Sequence, residues 1–89
     1  MGWRIELDRE AVRDLEKLDR PVARRILAFL HSRVGALEDP RRIGKALKGA
    51  KMGEFWRYRV GNFRIIAHLE DGVFRVLVVR VGRRDKVYR

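Results

Sequence analysis

The sequence predicts an α+β fold: a twisted, mostly antiparallel four-stranded sheet packed against an N-terminal two-helix hairpin, in the order β-α-α-β-β-β. Three observations predict it. Residues 55–81 form three alternating runs, FWRYRV, FRIIAHLE and VFRVLVVRV, separated by Gly61-Asn62 and Asp71-Gly72. Such dipeptides between alternating runs signal tight hairpins. Residues 8–37 carry apolar side chains at helical spacing, and Trp3-Arg4-Ile5-Glu6-Leu7 alternates ahead of them as a first strand.

In the first strand Trp3, Ile5 and Leu7 face the core. Asp8 is placed to cap a short helix running to about Leu18, with Ala11, Leu15 and Leu18 on one stripe. Asp19-Arg20-Pro21 ends that helix and begins another, with Pro21 in its first turn. Val22, Ile26, Phe29 or Leu30, Val34 and Leu37 form the stripe of this second helix, and its outer face is charged. Glu38 to Gly53 reads as a loop, with Leu47 plugging it onto the core. In the meander that follows, two-residue loops fix register. The first sets Val60 opposite Phe63, Arg59 opposite Arg64, Tyr58 opposite Ile65 and Arg57 opposite Ile66. The second sets Glu70 opposite Val73, His68 opposite Arg75 and Arg64 opposite Val79. Alternation then gives a core face of Trp56, Tyr58, Val60, Phe63, Ile65, Ala67, Leu69, Phe74, Val76 and Val78. Arg57, Arg59, Arg64, Ile66, His68, Arg75, Leu77 and Val79 take the other face. Gly82 ends the last strand, and residues 83–89 form a basic tail.

Eighty-nine residues suit one small domain, residues 1–89, and 46% hydrophobic content suffices to fold it. Without cysteine there is no disulfide framework or thiolate metal site, which fits a reducing cytoplasm. No apolar run approaches the ~20 residues of a membrane span, and the first ten residues are too charged for a signal peptide. Charge is segregated. Residues 1–40 carry 8 basic and 8 acidic side chains, whereas residues 41–89 carry 14 and 4, the entire net +10. A one-sided basic surface is the footprint of a polyanion.

The familiar chemical motifs are missing. There is no G-x-x-x-x-G-K-[ST], G-x-G-x-x-G or H-E-x-x-H, and the carboxylates of the basic half are scattered, so no metal or other cofactor is expected. Ser32 beside His31 on a helix points away from it and forms no nucleophilic dyad. His68 shares the basic face but sits ~13 Å from Arg64 along the strand.

The informative feature is Arg59 directly opposite Arg64, with Arg57 on the same face. Like charges facing each other across a sheet are destabilising. A bound anion relieves that repulsion, and guanidinium groups match phosphate two hydrogen bonds at a time. Cationic groups alone can cleave RNA, because the RNA's own 2′-OH attacks the adjacent phosphate. The protein then orients the backbone, neutralises charge growing on the phosphorane and helps move protons. Arg41, Arg42, Lys45, Lys48, Lys51, Arg83 and Lys86 extend the basic surface as candidate RNA contacts. Tyr88 can stack on a base, exchange a proton, or anchor the tail.

These residues resemble the RelE/ParE superfamily of toxin–antitoxin toxins, over essentially the whole chain. KALKGAKMGEFWRYRVGNFRIIAHLEDG is similar to the family's K-x-L-x-G…Y-x-x-R-x-G-x-[YF]-R-[IV] signature, and VRVGRRDKVYR to its V-G-x-R…[VI]-Y ending, which favours the RelE branch. The resemblance implies a metal-independent endoribonuclease that enters the ribosomal A site, cuts mRNA and so inhibits translation. It implies catalytic roles for Arg57 and Arg59 in activating the 2′-OH, Arg64 in stabilising the transition state, Arg84 in protonating the leaving oxygen and Tyr88 in orienting the nucleotide. It also implies an acidic, partly disordered cognate antitoxin, with a monomeric toxin when free and a hetero-oligomer when bound. The sequence departs from RelE proper in having arginine instead of lysine at both strand-two positions. It ends one residue after Tyr88, where RelE proper continues into a C-terminal helix. Arginine is effectively always protonated and a poor general base. Two further readings stay open: a ParE-like inhibitor of DNA gyrase, and a non-catalytic nucleic-acid-binding module.

Overall fold

The structure, a computed structural model, describes residues 2–47 and 55–83. Its elements are β1 (Arg4–Leu7), α1 (Arg9–Glu16), α2 (Arg20–Phe29), β2 (Lys45–Ala46), β3 (Phe55–Val60), β4 (Phe63–Glu70) and β5 (Arg75–Arg83). The sheet order is β1-β5-β4-β3-β2, with β1 parallel to β5 and every other pair antiparallel. The expected four strands are thus five. Lys45–Ala46 pairs with Arg57 and Trp56 at the sheet's far edge, a piece too short to show alternation in sequence. It sits within the segment expected to be loop, as does the 3₁₀ turn Pro40–Ile43.

Both helices cover one face of the sheet. Ala11, Leu15, Ile26, Leu30 and Val34 pack there on Tyr58, Val60, Ile65, Ala67, Leu69, Val76 and Val78, with Trp3 and Val81 closing the cluster. The apolar stripes and the alternating strands therefore meet as their periods require. Trp56 and Phe63 pack at its margin, half-buried. Asp8 stands at the N-cap of α1, but its side chain makes no capping bond. The second helix does not run unbroken to Leu37. After Phe29 it widens into a π turn over Leu30–Val34, and the Gly35 N–H reaches back to Leu30 O at 2.7 Å. His31 and Ser32 lie exposed on that turn.

The β3–β4 hairpin has the expected register: Val60 opposite Phe63, Arg59 opposite Arg64, Tyr58 opposite Ile65 and Arg57 opposite Ile66. Gly61 holds φ +58°, the left-handed conformation glycine adopts without a steric cost. The β4–β5 connection departs from expectation. It is a 3₁₀ turn over Asp71–Val73 followed by Phe74 at φ 51°, so Glu70 pairs with Arg75 and His68 with Leu77. A second shift follows. Ile66 pairs with Arg80 but Ala67 with Val78, which leaves Val79 as the extra residue of a bulge. Arg64 therefore faces Gly82, not Val79. Phe74, expected in the core, is 54% exposed because the turn carries it out of the strand. Beyond the bulge the faces exchange, and Val81 is buried.

At its other edge β5 outruns β1, which pairs only as far as Val78. There α1 supplies the missing partner. Asp14 is buried, and its Oδ2 accepts from the Val81 backbone N–H at 2.8 Å and from Arg80 Nε at 2.8 Å. Among the described residues no helix is long and apolar enough to cross a membrane.

Candidate functional site

The site is built on the sheet face turned away from the helices. On β3, Arg57 and Arg59 point to that face by alternation, and on β4 Arg64 joins them. Arg59 lies opposite Arg64 and Lys45 lies opposite Arg57, two like-charge pairs side by side. They line a cavity of about 240 Å³ together with Ile43 and Tyr58. Gly82, opposite Arg64, adds no side chain beside it. Lys45, Arg57 and Arg59 have no ion pair or side-chain hydrogen bond among the described residues.

Tyr58 positions this wall from below. It is buried, and its hydroxyl donates to the Pro40 carbonyl at 2.9 Å. Burial pushes its phenol well above the ordinary tyrosine value, and the nearby Arg41 charge offsets only part of that. Tyr58 is therefore a neutral strut that ties the Pro40–Ile43 turn to the sheet. Gly44 lets the turn approach: a methyl there would come within 2.7 Å of Tyr58 Cε1. This fixed approach brings Ile43 and Lys45 to the cavity.

The other sequence candidates divide. Arg41 does not line the cavity. Its guanidinium grips Asp71 at 2.7 and 3.1 Å, touches Asp39 at 3.3 Å and lies 5.6 Å from the Trp56 ring centre. The Asp71 hydrogen bonds raise the Arg41 pKa and lower that of Asp71. Arg41 is thus a clamp between the Pro40–Ile43 turn and the β4–β5 connection. Arg42 is exposed on the same turn, outside the cavity lining. Arg83 lines a different cavity of about 190 Å³, against Asp14 of α1 and Lys17 and Leu18 just after it. Lys48, Lys51, Arg84, Lys86 and Tyr88 lie outside the described residues.

Two features escaped sequence reading. Lys45 joined the candidates as one loop cation among several, and only the β2 pairing shows it directly opposite Arg57. Phe55 has no role legible in the sequence, yet it shares this face, and its ring centre lies 5.3 Å from that of His68. A strand-end aromatic in a two-period pattern gives no signal of its own. Among the described residues no group of three or more His, Asp or Glu side chains comes together as a metal-ion site. The arrangement can therefore bind a phosphodiester through several cations at once and stabilise negative charge that grows on it.

Comparison with known proteins places this geometry in context. The family model described as the ParE toxin of type II toxin–antitoxin systems, parDE, matches residues 5–88. Toxin RelE of Mycobacterium tuberculosis is 29% identical over 87 residues, spanning 98% of this chain and 87% of that protein. Toxin RelG of the same organism is 28% identical over 89 residues, spanning 100% and 99%. The crystal structure of the M. tuberculosis toxin–antitoxin complex RelBE2 shares the fold. Its TM-score is 0.83 at 24% identity, over 94% of this chain and 93% of that one.

Proposed function

The chain belongs to the RelE/ParE toxin superfamily of type II toxin–antitoxin systems, and from that premise we propose a ribosome-dependent, metal-independent mRNA endoribonuclease that inhibits translation. The observation that carries this reading is the pair of in-register like-charge couples, Lys45–Arg57 and Arg59–Arg64, around one cavity. Sheet stability alone disfavours them, and a phosphodiester seated between them relieves the repulsion.

In the proposed reaction the 2′-oxygen attacks the adjacent phosphorus. A bond from the 2′-oxygen to phosphorus forms as the bond to the 5′-oxygen breaks, giving a cyclic phosphate and a 5′-hydroxyl. Arg57 and Arg59 hold the phosphate and the attacking oxygen in line. Arg64 stabilises the charge that grows on the phosphorane. By the same resemblance, Arg84 gives a proton to the leaving oxygen and Tyr88 orients the nucleotide. Arg57 and Arg59 stay protonated, so the 2′-OH proton passes to another acceptor. The partners in this reading are the ribosomal A site and a cognate acidic antitoxin, as the M. tuberculosis neighbour is a toxin–antitoxin complex. The toxin is a single cytoplasmic domain, monomeric until the antitoxin binds.

The test is message integrity in cell-free translation, with and without ribosomes. Wild type is expected to make ribosome-dependent cuts, and Arg64→Ala to slow them about 100-fold or more. Undiminished cleavage by that variant removes Arg64 from the site. A second reading, inhibition of DNA gyrase, is favoured by the family model being that of ParE toxins. It predicts intact message together with a DNA-damage response on expression.

A further inference from the structure

The cationic cavity has a neighbour on the same sheet face. Phe55 and His68 are cross-strand partners, their ring centres 5.3 Å apart and their planes tilted by 37°. Both are half-buried, so the rings are seated in the sheet yet still reachable. Phe55 stands two residues from Arg57 on β3, about 6.6 Å along the strand. That spacing is comparable to the span of one nucleotide in an extended strand. Proteins that hold single strands combine a cationic track for the backbone with aromatic faces for the bases.

We propose that Phe55 and His68 form a base-stacking subsite beside the cationic cavity. It takes one nucleobase of the same single strand whose phosphate Lys45, Arg57 and Arg59 hold. The proposal deepens the ribonuclease reading and rests on it for the identity of the strand. Polarity limits the subsite to one base. Beyond the pair lie Glu70, bonded to Arg75, and Glu6, whose Oε1 is 3.4 Å from Arg75 Nη1. That carboxylate end offers a phosphate no seat. Glu70 Oε2 also stands 3.7 Å from His68 Nδ1.

The competing explanation is that the two rings only stabilise the sheet as a cross-strand aromatic pair. The test separates them. A fluorescein-labelled RNA hexamer, 2′-O-methylated throughout and so lacking the nucleophile, is titrated with the full chain by anisotropy. A single abasic residue is moved along the hexamer. Wild type is expected to lose about tenfold in affinity at one abasic position. Phe55→Leu, which keeps apolar bulk but no ring face, is expected to bind the intact hexamer about tenfold more weakly and to ignore that abasic position. His68→Phe is expected to retain the effect. An abasic scan without a sensitive position, through lack of binding or otherwise, overturns the subsite. So does Phe55→Leu that binds like wild type with a lowered melting temperature. Arg57→Ala and cell-free cleavage report on the ribonuclease reading separately. Cleavage that survives alongside a flat abasic scan removes the subsite and leaves that reading standing.

Discussion

Two groups of basic side chains on and beside this sheet have opposite surroundings. At one end and at the edges, Arg41, Arg75 and Arg80 are each held by carboxylates: Asp71 and Asp39, Glu70 and Glu6, and Asp14. Around the cavity, Lys45, Arg57 and Arg59 have no carboxylate partner among the described residues, and Arg59 faces another arginine. The first group is what a protein does with arginine when it wants structure. The second leaves the charge for something that arrives later. A net charge of +10 says only that an anion is wanted; the pairing pattern says where.

Arg59 separates the two groups most sharply. Arg59→Glu turns the cavity into a paired site. Cleavage is expected to fall about 100-fold or more, while the fold gains about 0.5 kcal/mol as a like-charge pair becomes an opposite one. Cell-free cleavage and urea denaturation on the same preparation check both halves. A variant both inactive and unstable would mean that Arg59 is structural.

Asp14→Ala tests the paired group at its most buried point. It strands the Val81 N–H and removes the carboxylate that holds Arg80, so about 1–3 kcal/mol of stability should be lost, read by urea denaturation. Arg41→Ala tests the exposed clamp. Its expected cost is at most about 1 kcal/mol, with RNA affinity unchanged, and a clear loss of affinity at unaltered stability would return Arg41 to the RNA surface. The smallest effect is with pH. Hydrogen bonds from Arg75 and Arg41 hold Glu70 and Asp71 below their ordinary values. Their contribution is therefore full above the usual carboxylate range, near pH 4, and is lost as pH falls through the lowered values. Melting temperature followed from pH 6 downwards should show that decline weakened in Arg75→Ala.

What the sequence made legible follows from how local each feature is. The β3–β4 hairpin, and with it the Arg59–Arg64 pair, could be read because Gly61-Asn62 is a two-residue turn between clean alternations. The β4–β5 register could not. Phe74 continues the alternation of the strand after it, so nothing in the chain marks it as the left-handed end of a longer turn. The bulge at Val79 is hidden for a related reason: Val-Leu-Val-Val is apolar at every position and carries no phase. Arg41 and Asp14 were opaque because each acts across space. A charged residue on a helix or turn reads as solvated until a distant partner, Asp71 or Val81, is placed against it. The tail arginine and Tyr88 rest on resemblance alone.

The place where β5 outruns β1 governs how the molecule behaves in company. A bare strand edge is a template on which another chain can add, the first step toward swapped dimers and fibrils. Here α1 lies over that edge, and Asp14 occupies the Val81 N–H that an incoming strand would need. A second chain adding there must evict the helix turn and bury the Asp14 charge without its partners, which is costly. Asp14 thus blocks the one stretch of β5 that β1 leaves uncovered, and Asp14 substitutions should be screened for aggregates before being scored for lost activity.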